Sequence, residues 1–583
     1  MMKNIFKYTI ALAAAFSLTG CANDFLDQKN TYQLSQETFF DSEESLTQAT
    51  APLYSYVWYD FNDKFYYSMG DGRANNITAQ YSDYIYPYTN FTETSLSVGL
   101  TEAWAALYSV VSQSNNTINN IKNYATGVSE TAKEQAIAEA RFMRGLAYWY
   151  IGTLWGCGII YENTSDLVNN YVVKAQPRAD VIEFAIRDME YAAKNLPETN
   201  ATGRVNRYSA FGMLSRFYLS MAGLTTEGEY NQSNVATDFN RGTRNSTYLK
   251  LAKAAAEEVI DHSGASLMDS YAELFNINTF DNNQECLFQL QFMPGTGMGG
   301  AANSMTRFFA WSTMVADTHA WGGATYCSWD LWEEFKEYSD RTLGTVDDAK
   351  RRHECVASYG EYYSELGDYT YGVTENPGNQ GANIKKYVVG TKKVNNISES
   401  DNSGINTYML RLAEVYLNYV EAQLFLNNGT ITNGDALDLF NAIRTRANMP
   451  TKSEIKFEDL RHEFRVEFAF EGLYWYQLVR WAYCDQQFIV NYLNNQNRNA
   501  SYFESSTNTY KISDSYVAPG SSVQIATASN LVLPMSDADQ TKNPNLKPDS
   551  NGNISTEAWN FDEREVSHGE LFPNLDLNSD NNE

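Results

Sequence analysis

Basic residues are in short supply: 43 Lys and Arg stand against 71 Asp and Glu, a formal net charge of −28. A chain of that sign repels phosphate backbones and anionic headgroups, so a nucleic-acid role is disfavoured. Cysteine is sparse as well. The six (Cys21, Cys157, Cys286, Cys327, Cys355 and Cys484) contain no CxxC pair and no zinc spacing, which argues against a disulfide scaffold or a metal–thiolate site. With 12 prolines there is no proline-rich linker to divide the chain. The five histidines (His262, His319, His353, His462, His568) form no HExxH or metal-ligand pair. Neither a Gly-rich phosphate loop after a strand nor a GxSxG elbow occurs. No metal and no cofactor are expected.

What is present is length and aromatic content. At 583 residues the chain exceeds the roughly 250–300 residues at which one hydrophobic core stops growing, so several packed layers are expected. Aromatics make up 14%, and the 41 tyrosines outnumber the 30 phenylalanines. Tyrosine packs its ring while keeping its hydroxyl wet or bonded, which suits binding surfaces.

The N-terminus reads as an export signal over residues 1–20. Lys3 and Lys7 supply its positive start, and Ile10–Leu18 supplies an apolar run too short to span a bilayer. Leu18-Thr19-Gly20-Cys21 resembles a bacterial lipobox, so Cys21 is expected to carry the lipid and to anchor the chain without a transmembrane helix. Asp24 and Asp27, just behind it, favour export to the outer face.

Residues 21–40 read as a lipidated tether and 41–583 as one body. From about Leu100 helical spacing dominates: Trp104, Leu107, Val111, Asn115, Ile118 and Ile121 share one face. Residues 131–155 repeat the pattern with Ala136, Ala140, Met143, Ala147, Tyr150 and Leu154, and Gly156 follows as a stop. Further helices are predicted at about 178–195, 206–222, 247–262, 407–427, 434–447 and 456–483. The fold class expected is all-α, built of degenerate tetratricopeptide-like helix pairs over about 100–262 and 406–485, with no strict 34-residue repeat. Residues 55–100, 276–405 and 490–583 lack sustained periodicity and are rich in Asn, Gly, Ser, Thr and aromatics, with short strands such as Cys286–Phe292. Loops of this length tend to carry function.

Two chemistries compete for such a chain. Glu463, Glu467 and Glu471 fall on one helical face, with Arg444, Arg446, Arg461, Arg465 and Arg480 close in sequence. That pattern fits an internal salt-bridge network far better than a glycosidase dyad. The binding case has more residues. Tyr81, Tyr84, Tyr86, Tyr88 and Phe91 crowd one irregular segment, and Phe308, Phe309, Trp311, Trp321 and Tyr326 another. A flat ring packed on the apolar face of a sugar, with Asp71, Arg73, Asn75, Asn76 and His319 at the rim, would bind a glycan without cutting it.

Six blocks, in order, resemble the SusD/RagB family of outer-membrane glycan-binding lipoproteins. They are Cys21–Asp27, Glu139–Tyr150 with Leu154-Trp155-Gly156, Leu410–Leu417 with Glu421-Ala422, Asn441–Ala447, Glu463–Gly472 with Leu478–Trp481, and Leu533-Pro534 with Asn543–Leu546. The resemblance implies the tetratricopeptide-like fold and a loop-borne glycan platform. It also implies a SusC-like TonB-dependent transporter as partner, over which the lipoprotein sits as a lid while anchored to the outer membrane. Trp321 precedes Ser328–Phe335, which is similar to the helix after a ligand-stacking Trp in the starch-binding member. The second platform position falls within Tyr81–Tyr88, where that member has Trp and this chain only Tyr. The function expected is therefore capture of oligo- or polysaccharide without catalysis. The alternatives are a secreted glycan-degrading enzyme and the same lid with peptide cargo.

Overall fold

The structure is a computed structural model that describes residues 39–79, 82–294, 302–310, 325–339, 342–373, 380–390, 403–513 and 526–577. Among these, the scaffold is made by the helices α1 Leu100–Tyr124, α2 Glu130–Trp155, α3 Arg178–Asn195, α4 Arg207–Leu224, α5 Ser246–His262, α6 Leu412–Leu426, α7 Asp435–Arg446, α8 Phe457–Glu467 and α9 Tyr474–Ala482. From α1 to α7 each packs on the next in chain order, the antiparallel stacking of tetratricopeptide-like pairs. The caps follow the sequence. Ser129 Oγ accepts from Ala132 N at the start of α2, Asn206 accepts from Tyr208 N and Ser209 N at the start of α4, and α2 stops at Gly156 with φ 72°.

Small residues let these helices approach closely. A Cβ on Gly145 of α2 would lie 2.9 Å from the Ala185 carbonyl of α3. From Ala136 to Trp155 every residue of α2 is buried, so the apolar stripe read from the sequence understates how fully the helix is enclosed.

The irregular segments carry six strands of importance: β1 Ile77–Ala79, β2 Cys286–Leu290, β3 Thr325–Cys327, β4 Val356–Ala357, β5 Asn383–Ile384 and β6 Thr407–Arg411. β1, β3, β5 and β4 form a four-stranded antiparallel sheet in that order, and β2 pairs with β6. Two expectations are corrected here. Residues 407–411 are strand, and the helix expected from 407 begins only at Leu412. The single helix expected over 456–483 is two, because Phe470 and Gly472 take left-handed φ values of 65° and 64° between α8 and α9. The cause lies in residues 70–71. The Asp71 carboxylate accepts from the backbone N–H of Phe470 (3.0 Å) and of Gly472 (2.6 Å), and Gly70 lies against Gly472.

A buried charge network joins the helices to the irregular segments. Arg411 meets Glu285, Glu467 and Glu471, Arg446 meets Glu285 and Glu467, Arg351 meets Asp348, Glu463 and Glu467, and Arg444 and Lys386 close the set on Glu463 and Glu471. This is the salt-bridge reading of the glutamate face. Burial alone would raise Glu467, but Arg446, Arg411 and Arg351 hold its carboxyl well below the usual range.

At one end of α1, Asp41 O packs on Gly127, just past the helix. At the other end, Gly99 caps it beside Tyr84 and Tyr88. The 25-residue helix spans about 37 Å at 1.5 Å per residue, so Asp41 and the aromatic segment sit at opposite ends of it.

Candidate functional site

The aromatic edge is built by strand pairing. In the β1–β3 ladder Ala79 faces Thr325, so the chain leaves β1 towards Tyr84 at the same edge from which it enters β3. The Thr325 hydroxyl donates to the Phe308 carbonyl, which brings the end of the 302–310 segment to that edge as well. The described ends of the two aromatic-rich segments, more than two hundred residues apart in sequence, therefore meet there.

Beneath the edge the interior is tightly organised. Tyr67, buried, packs against Phe308 at 5.5 Å and Phe309 at 5.2 Å between ring centroids. Tyr88 is buried and donates to the Val98 carbonyl at 2.6 Å, which fastens the loop carrying Tyr84 and Tyr86 to the start of α1. Gly99 (φ 95°) is needed there, since a Cβ would come within 3.0 Å of Phe65 and 3.3 Å of Tyr84. Above this layer Tyr84, Tyr86 and Phe308 remain half-buried, and Lys64 sets its ammonium 5.6 Å from the Tyr84 ring centroid. The Tyr86 hydroxyl is bonded to Asp83, which raises its phenol.

Of the residues expected at the site, Tyr84 and Tyr86 lie on this edge. Tyr81, Trp311, His319 and Trp321 lie outside the described residues, and so does Cys21. The expected polar rim is corrected. Asp71, Arg73, Asn75 and Asn76 are wholly buried and serve as internal ties. Asp71 accepts from Asn76 Nδ2 (2.8 Å) besides the two backbone N–H groups, and burial pushes its carboxyl up to about 6 against the pull of those bonds. Arg73 donates to Glu93 (2.6 Å) and to the Asn530 carbonyl, with its guanidinium 4.6 Å from the Trp475 ring centroid. Asn75, at φ 63°, donates to the Asn497 carbonyl at 3.1 Å. Tyr88, Phe91, Phe309 and Tyr326 are likewise interior.

Sequence reasoning missed Lys64 and Tyr67. The available signal for Lys64 was that it and Arg73 are the only cations of residues 55–100. With Arg73 committed inside, Lys64 is the one left to face the edge. Among the described residues no group of three or more His, Cys, Asp or Glu is placed to hold a metal ion. The arrangement offers flat ring faces, phenolic hydroxyls and one ammonium, a set suited to a polyol with apolar C–H faces.

Comparison with known proteins bears on this edge. A SusD-like protein of Bacteroides ovatus is 35% identical over 565 residues, covering 93% of this chain and 97% of that one. The chain belongs to the SusD family. The SusD family profile matches residues 284–552, and a second profile, described as starch-binding and associating with the outer membrane, matches residues 24–219. A solved structure crystallised with a xylogluco-oligosaccharide is 33% identical, with a TM-score of 0.77 over 89% of this chain and all of that one. A SusD-like carbohydrate-binding protein of Bacteroides fragilis shares the fold at 20% identity, TM-score 0.67, over 88% of this chain and all of that one. The helical tetratricopeptide-like scaffold is that of the SusD family, one of whose matching profiles is described as associating with the outer membrane.

Proposed function

We propose that this SusD-family chain is a cell-surface glycan-binding lipoprotein, anchored through Cys21, that captures oligo- or polysaccharide and passes it to a SusC-like TonB-dependent transporter without catalysis. The observation that carries this reading is the convergence of the two aromatic segments at the β1–β3 edge. In the sequence Trp321 and His319 follow the first of these converging ends, at Phe308, and Tyr81 precedes Tyr84 and Tyr86 at the other. The relative crystallised with a xylogluco-oligosaccharide supports a β-glucan-like, neutral ligand, for which stacked rings rather than ion pairs supply the affinity. The glutamate face does not favour the glycosidase reading, because each of its carboxylates is engaged by buried cations.

The test is affinity electrophoresis and calorimetry of the soluble form lacking residues 1–21 against a polysaccharide panel that includes xyloglucan, with product analysis alongside. Retardation by one glycan class and no released sugar is the expected outcome. Trp321→Ala is expected to weaken that binding by at least about tenfold, the worth of roughly 1.4 kcal/mol of stacking, with the melting temperature unchanged. Released oligosaccharide would favour the enzyme, and binding of peptides at the same edge would favour peptide cargo.

A further inference from the structure

Asparagine followed by glycine is the dipeptide in which a side-chain amide is most open to attack by the next backbone nitrogen, because glycine has no Cβ to block the approach. The chain has three such pairs, Asn428-Gly429, Asn433-Gly434 and Asn551-Gly552. All three asparagines are exposed, so exposure does not separate them. The backbone bonds do. The Gly429 N–H donates to the Leu424 carbonyl at 2.7 Å, closing the turn after α6, and the Gly552 N–H donates to the Asp549 carbonyl at 3.0 Å. Among the described residues the Gly434 N–H has no acceptor, and the Asn433 side chain makes no hydrogen bond.

The fold keeps this pair as it is. Gly434 precedes α7, and its carbonyl accepts the first N–H groups of that helix, from Leu437 at 3.0 Å and Asp438 at 3.2 Å. To do so it sits at φ 80° and ψ −177°, a conformation that only glycine adopts readily. Nothing lies within 4 Å of the place a Cβ would take. The backbone therefore requires glycine at 434, leaves its nitrogen unengaged and sets the Asn433 amide beside it.

We propose that Asn433 is a site of spontaneous deamidation to isoaspartate. The Gly434 nitrogen gives up its proton to water and attacks Asn433 Cγ. An N–Cγ bond forms, the Cγ–Nδ2 bond breaks, and the side-chain nitrogen leaves as ammonia with a proton taken from water. A second water then opens the cyclic imide. Cleavage of its bond to the Asn433 main-chain carbonyl leaves an isoaspartyl residue, whose chain runs through Cγ, and cleavage of the bond to Cγ leaves aspartate. The sum is one water consumed and one ammonia released, with no oxidant, metal or enzyme. The product places a new carboxylate just ahead of α7, where the helix dipole favours it. In the isoaspartyl form the main chain is one carbon longer between the Ile431–Ile455 bridge and the Gly434 cap. Since α7 carries Arg444 and Arg446 into the buried charge network, the modification falls at the entry to an element on which that network depends. The proposal is independent of the glycan reading.

The test is peptide mapping by mass spectrometry of the detergent-solubilised full chain after timed incubation at neutral pH. Isoaspartate is counted separately by methyl transfer from labelled S-adenosylmethionine with a protein isoaspartyl methyltransferase. Asn433 is expected to convert about fivefold faster, or more, than Asn428 and Asn551, whose glycine N–H groups must first leave an acceptor, a difference equivalent to roughly 1 kcal/mol of barrier. In denaturant the three rates should converge, since the backbone bonds that separate them are gone. Asn433→Ser should remove the largest share of the methyl acceptance and leave the melting temperature and glycan retardation unchanged. Equal native rates at the three sites, a native ratio that persists in denaturant, or undiminished methyl acceptance in Asn433→Ser would overturn the proposal. So would a converted Asn433 found only as aspartate, because a cyclic imide opens to both products.

Discussion

Asp71 shows how one side chain can decide backbone geometry four hundred residues away. Its carboxylate takes the N–H groups of Phe470 and Gly472, which the break between α8 and α9 leaves without helical acceptors. Asp71→Ala would strand those donors in a dry interior, and unfolding experiments are expected to show a loss of about 2–6 kcal/mol, at one to three per unsatisfied group. His568 is a second buried tie. Burial by itself would depress its imidazole, but hydrogen bonds to Glu190 and Glu229 hold it up to about 9, against the nearby Arg564. Because the folded value is raised, the stabilisation is complete below the unfolded value of about 6.5 and is lost as pH rises through about 9. His568→Gln is therefore expected to cost about 2–3 kcal/mol at pH 6, and thermal melts should show the gap from the parent protein closing towards pH 10.

At the scale of elements, periodicity was a sound guide wherever a helix buries one stripe. Residues 100–124 and 178–195 are helical, as their spacing predicts. It misled where tertiary partners override local preference. Thr407–Arg411 is apolar enough to begin a helix, yet it pairs with Cys286–Leu290, and that partner is invisible to any local pattern. The rim residues failed for the same reason. Asp, Arg and Asn in an irregular segment suit an exposed binding rim and a buried polar tie equally, and only the contacts of Arg73 with Asn530 and of Asn75 with Asn497 distinguish them. The aromatic edge was legible as composition but not as geometry, since the β1–β3 pairing supplies the juxtaposition. Gly70 marks the tightest of these element contacts. A Cβ there would sit 2.1 Å from the Gly472 carbonyl oxygen, whereas nothing lies within 4 Å at Gly569. Gly70→Ala is expected to lower stability by about 3 kcal/mol or more, or to prevent folding, with Gly569→Ala close to neutral in the same denaturant titration.

Across the whole molecule, the buried network is what unites the helical scaffold with the irregular segments. Arg411 alone ties β6 to Glu285 before β2 and to Glu467 and Glu471 at the α8–α9 junction. Removing it leaves three buried carboxylates short of a partner, so Arg411→Met is expected to cost about 3–5 kcal/mol in chemical denaturation. The loss should reach the aromatic edge too: binding of glycan should weaken in proportion to the unfolded fraction, without a change in ligand preference.

The position of α1 has a mechanical corollary. Under the proposed anchoring through Cys21, the tether would meet the body near Asp41, at the end of α1 opposite the aromatic segment, and the body would act as a lever whose working end is that edge. On an arm of about 37 Å, set by the rise of the helix, a tilt of about ten degrees at the pivot sweeps the edge through about 6 Å. A swing that small is comparable to the width of one sugar ring, so a bound chain could be advanced or withdrawn by a residue without any internal rearrangement of the protein.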